Sequence, residues 1–145
     1  DRAAELYARA CREGRPDAVN LAARLEAQTR TWGVTILAGD ATRAQAEDVA
    51  VWQRLDRISV RGRQEEVTIH TPRAPAGPVA ALLAQELALW QQALDDWQAS
   101  RLRPFAQKLH ALRAIRPDFE PYAIYANRLQ ARLAENPPAA ERCQA

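Results

Sequence analysis

Apolar and polar positions follow two regimes along the chain, changing over near residue 72. In the first regime, helical and alternating stretches are mixed. Asp17 is a good N-cap, because its carboxylate can accept from the next amides, and the stretch behind it from Ala18 to about Thr31 reads as a helix. Gly33 supplies the left-handed residue on which such a helix ends. Val34-Thr-Ile-Leu37 then reads as a short buried strand, and Asp40 is placed to cap a helical turn through Arg43 to Glu47. Arg57-Ile-Ser-Val-Arg61 and Glu66-Val-Thr-Ile-His70 alternate polar with apolar on either side of Gly62. That alternation predicts a hairpin burying Ile58, Val60, Val67 and Ile69. Helix, strand, short helix and hairpin, in that order, make an α+β piece.

The second regime is helical throughout. From Val79 to about Ala99 the residues Leu82, Leu83, Leu87, Trp90, Leu94 and Trp97 recur at spacings of one, three and four, which lays a broad apolar stripe along one helix. Pro104 suits a first helical turn and opens a second helix carrying Phe105, Leu109, Leu112 and Ile115. Pro117 and Pro121 bracket a turn at Asp118-Phe-Glu, and a third helix runs from Tyr122 to about Glu135. Between the regimes, residues 71–78 read Thr-Pro-Arg-Ala-Pro-Ala-Gly-Pro. Three prolines remove backbone donors and fix φ, which predicts neither helix nor central strand there. The expected organisation is therefore a first domain over 1–72, a proline-rich linker over 73–78 and a helical tail over 79–138.

Composition narrows the function classes. With 145 residues and 48% hydrophobic content, the chain holds one domain's worth of core and is no candidate for wholesale disorder. No apolar run approaches the roughly 18–20 residues that cross a bilayer. Cys11 and Cys143 fit neither a metal-ligand spacing nor a disulfide framework, so a cytoplasmic location is expected. Residues 1–72 carry eleven arginines against eleven acids, and residues 73–145 nine bases against seven acids. Neither half is a basic stripe of the kind that binds nucleic acid.

Chemistry concentrates in Asp17-Ala-Val-Asn20-Leu-Ala-Ala-Arg24-Leu-Glu26. Asn20 and Arg24 are four apart on the predicted helix and share a face. A carboxamide beside a guanidinium can grip a sugar oxygen and a phosphate, the planar fork neutralising charge that develops on phosphorus. The plainer reading is a solvated helix face, where both residue types are common. His70, on the polar face of the hairpin, and His110 read as surface residues, and Asp95-Asp96 as a solvated face rather than a carboxylate pair. The five glycines are scattered and form no phosphate loop.

The Asp17–Glu26 stretch resembles the segment of class III nucleotidyl cyclases that bears their transition-state asparagine and arginine. Trp32-Gly-Val-Thr-Ile-Leu-Ala-Gly-Asp-Ala-Thr-Arg43 resembles the strand and helix start that follow in that family. Leu55-Asp-Arg-Ile-Ser-Val-Arg-Gly-Arg-Gln-Glu-Glu-Val-Thr-Ile69 resembles its closing hairpin. The helical tail, through Trp90-Gln-Gln-Ala-Leu94, Trp97, Phe105-Ala106, Leu109 and Pro117, is similar to a tetratricopeptide unit of the sort that follows some bacterial sensor-linked adenylate cyclases. By this resemblance the fold is a truncated ferredoxin-like cyclase half followed by a three-helix tetratricopeptide-like tail. The resemblance implies ATP as substrate, with cyclic AMP and pyrophosphate as products. It implies that Asn20 orients the ribose and that Arg24 stabilises charge on the α-phosphate as the 3′-hydroxyl attacks.

The resemblance also implies a magnesium or manganese pair held by two aspartates in an earlier part of the domain. The residues ahead of Asp17 read instead as one helix, Arg2 to about Arg12, without a strand or a Gly-Asp turn. The family's base-selecting lysine has no counterpart before Lys108, which leaves ATP against GTP unread. The chain is therefore expected to supply Asn20 and Arg24 without metal ligands, inactive alone, and to work as a homodimer or with a metal-competent cyclase subunit. Intact relatives are often anchored to the inner membrane, but no segment of these residues reads as entering a bilayer. The alternative is a non-enzymatic interaction module, in which Trp90, Trp97, Phe105 and Phe119 dock a partner. Those four aromatics also suit an ordinary helix–helix core.

Overall fold

A computed structural model of the chain describes Glu5 and residues 16–59 and 66–136. Among these residues, five helices and one two-stranded antiparallel sheet make an α+β chain. It divides into two compact units, Asp1–Ala81 and Leu82–Ala145. The helix expected over Arg2 to Arg12 lies, apart from Glu5, outside the described residues, as do Val60, Gly62, Cys11 and Cys143.

The first unit opens with α1, Pro16–Trp32. Asp17 lies inside this helix rather than capping it, because the helical backbone already includes Pro16; its side chain is outside the described set. Gly33 ends the helix at φ 64°, and the Val34 amide reaches back to the Thr29 carbonyl at 3.1 Å. That six-residue closure is a Schellman turn, which occupies a carbonyl the helix end would leave bare. Leu25 and Trp32 are buried on the inner face of α1.

Helix α2, Asp40–Gln45, follows with Gly39 as its N-cap. Asp40 does not cap it as expected, since its carboxylate is engaged elsewhere: Oδ1 lies 2.7 Å from His70 Nε2. Strand β1, Ala50–Ser59, and strand β2, Glu66–Pro75, then form the hairpin. Both strands run longer than the alternation at 57–61 and 66–70 predicts. Ile69 is buried as expected, whereas Ile58 and Val67 are half-buried and the most protected residue of β1 is Leu55. Register slips between Val51 and Trp52 and between Arg54 and Asp56, so Arg73 is the extra residue of β2 and Leu55 that of β1.

Two expectations fail at one proline. Residues 73–75, assigned to a linker, belong to β2, and Val34–Leu37, expected as a strand, makes no ladder. His70 exchanges both backbone bonds with Ala38, at 2.9 and 2.8 Å, on the side of β2 away from β1. Pro72, two residues on, turns its nitrogen to that same side, where the β1 ladder does not need a donor. The next bond toward Ile36 would require a Pro72 N–H, which proline lacks. The ladder therefore stops after one bridge. Thr71 Oγ1 instead donates to the Ile36 carbonyl at 3.0 Å.

In the second unit, α3 (Ala81–Gln98), α4 (Leu102–Ile115) and α5 (Glu120–Glu135) stand where the pattern predicts helices, but Leu82 of the expected stripe is 55% exposed, whereas Glu86 is buried. The turn expected between Pro117 and Pro121 is shorter, because Glu120 and Pro121 already belong to the first turn of α5, which tolerates a missing N–H. The rings close the core. Trp90 meets Tyr122 and Tyr125 at centroid distances of 5.2 and 5.1 Å, and Trp97 meets Phe105 at 4.9 Å. Trp90, Phe105, Tyr122 and Tyr125 are each at most 1% exposed.

Helix α3 ends on Ser100, a non-glycine residue at φ 59°. The Arg101 amide closes back to the Asp96 carbonyl at 2.8 Å, the same six-residue turn that Gly33 makes. A side chain in this conformation costs about 1–2 kcal/mol, against about 0.5–1 kcal/mol that glycine loses in backbone entropy. Ser100→Gly should therefore stabilise the helical unit by about 0.5–1 kcal/mol. Ser100 Oγ also accepts from Arg132 Nη2 at 2.9 Å on the exposed surface. Ser100→Ala, which drops that bond and keeps the conformation, separates the two effects. If thermal melts show Ala matching or exceeding Gly, backbone strain is not the cause.

Candidate functional site

Helix α1 sorts its residues by periodicity. Leu21 and Leu25 reach inward over Gly39, where the position of a Cβ would lie 3.7 Å from Leu21 Cδ2, 3.9 Å from Leu25 Cδ1 and 3.6 Å from Val67 Cγ1. The inner stripe thus rests on the start of α2 and on β2. Asn20 and Arg24 immediately precede those leucines and are both exposed. Four residues of helix separate them by about 6 Å along the axis, so the two heads stand one turn apart on one side. Neither is turned into the core. The pair is open to water, within reach of a ligand carrying a hydroxyl or ring oxygen near a phosphate.

Three further constellations join residues far apart in sequence. His70 was expected at the surface, but it is only 7% exposed, held between its backbone bridge to Ala38 and the Asp40 carboxylate. Arg54 is its cross-strand neighbour on β1. The Asp40 side chain is 73% exposed, so in this pair the carboxylate, not the imidazole, meets solvent. An imidazole that serves as a general base needs the opposite arrangement. The pair ties the start of α2 to β2.

In the helical unit, Glu86 is fully buried. Its Oε2 accepts from Tyr122 Oη at 2.7 Å, and its Oε1 from Arg116 Nη2 at 3.0 Å. Asp96, expected on a solvated face, is 6% exposed and receives Arg101 Nε at 2.8 Å together with Lys108 Nζ. Its neighbour Asp95 does face water and accepts from Gln91 Nε2 at 3.1 Å. Adjacent helix positions point different ways, and here one of the two points inward.

Lys108, then Arg101, hold the Asp96 carboxyl below the usual aspartate range through hydrogen bonding to its charged form. A carboxylate lowered in the folded state adds stability that is present above its unfolded value and lost as pH falls through the folded one. Asp96→Asn should accordingly destabilise α3–α5 at neutral pH. The gap from the wild type should close below about pH 4. Amide exchange of the helical unit measured from pH 3 to pH 7 tests this, and a gap independent of pH would refute it.

Trp90 and Phe105 are buried within the bundle, and Trp97 and Phe119 are half-buried against it. Trp90 and Phe105 are thus spent on internal packing, while Trp97 and Phe119 keep part of their surface outside it. Among the described residues, no three His, Cys, Asp or Glu side chains gather into a group that could hold a metal ion. No helix among them is long and apolar enough to cross a membrane. Compared with models of protein families, with curated proteins and with solved structures, the chain matches none of them.

Proposed function

We propose that the chain is the asparagine- and arginine-bearing part of a class III adenylate cyclase, with a tetratricopeptide-like helical tail. The observation that supports it best is the exposure of Asn20 and Arg24, one turn apart on a helix whose other face is anchored. The order of helix, tight turn, extended segment and hairpin suits a ferredoxin-like half-domain. On this reading the substrate is ATP. Its 3′-hydroxyl gives up its proton to solvent as the oxygen forms a bond to the α-phosphorus, the bond from that phosphorus to the bridging oxygen breaks, and pyrophosphate leaves. Asn20 orients the ribose through its carboxamide. Arg24 lays its fork against the α-phosphate oxygens, where negative charge grows in the transition state. On this reading the magnesium or manganese that would lower the hydroxyl's proton affinity and screen the triphosphate is held by a second subunit.

The test is complementation in trans. The full chain, mixed with a metal-competent cyclase subunit that lacks its own asparagine and arginine, should produce cyclic AMP from ATP. Arg24→Ala should lower that rate by about 10²–10³-fold, the usual effect of removing one preorganised donor to a developing oxyanion. Because Arg24 is exposed, the variant should melt like the wild type. Cyclic AMP output no higher than that of the deficient subunit alone would end this reading.

A further inference from the structure

We draw no further inference here: the strongest candidate, the His70–Asp40 pair joining β2 to the start of α2, keeps its imidazole buried and belongs to no group of three His, Cys, Asp or Glu among the described residues, and so does no more than tie those two elements together.

Discussion

Trp90→Ala should unfold the helical unit. The indole is 1% exposed and packs against both Tyr122 and Tyr125 from α5, so its removal opens a void that the two tyrosines line. Truncating a buried tryptophan costs about 3–5 kcal/mol, the sum of lost transfer energy and the residual cavity. A unit of some sixty residues holds only about 3–9 kcal/mol in all. The variant should therefore lose most of the near-ultraviolet ellipticity of the ring cluster and most amide protection over α3–α5. Trp90→Phe, which keeps an aromatic ring, should retain both with a smaller loss, about 1–2 kcal/mol. An alanine variant that melts within a few degrees of the wild type would show that the cluster is not the core.

Glu86→Ala should cost the same unit about 3 kcal/mol. Its carboxylate lies wholly out of water and is the acceptor for both the Tyr122 hydroxyl and the Arg116 guanidinium. Losing it leaves the hydroxyl buried without that acceptor. Arg116 is 42% exposed and can turn to solvent, which keeps the cost at the low end for a broken buried pair. The double variant Glu86→Leu with Tyr122→Phe removes both polar partners, so it should recover much of the loss. Denaturant midpoints of the three proteins decide this. A single variant costing under about 1 kcal/mol would mean that the buried carboxylate is dispensable.

Much of what depended on neighbours in sequence was legible, the helix caps at Asp17 and Asp40 excepted. The leucine and tryptophan stripe of α3 from Leu83 onward, the proline opening of α4 and the glycine stop at Gly33 all act over one or two helical turns, and they stand where the pattern puts them. The hairpin was readable at its Arg57–His70 end, where alternation is regular. Toward Ala50 the alternation breaks at Leu55, because a bulge gives two residues of β1 one partner on β2. Pro72 looked like a breaker and was in fact a strand residue whose nitrogen faces away from the ladder. That geometry depends on which neighbour lies on which side, and no local pattern carries it.

Side-chain pairings were the least legible part. His70 finds Asp40 thirty residues away, and Tyr122 finds Glu86 thirty-six away. Read alone, a histidine on the polar side of a strand and a glutamate in a helix are both surface residues. Only the crossing of α2 over β2, and of α3 against α5, turns them inward. For the candidate site, the one-turn spacing of Asn20 and Arg24 was visible in the sequence. Their exposure followed once Leu21 and Leu25 were seen to take the inner face.

The hairpin carries one bulge on each strand, at Leu55 and at Arg73, and the two offsets cancel, so the alignment at Ala50 and Pro75 is the one that Ser59 and Glu66 share. Neither supernumerary residue has a partner across the ladder, so deleting one leaves every other pair facing as before. Deleting a paired residue instead shifts every position beyond it and turns inside faces outward. The ladder thus tolerates a lone deletion at those two places, and elsewhere only one matched by a loss from the opposite strand.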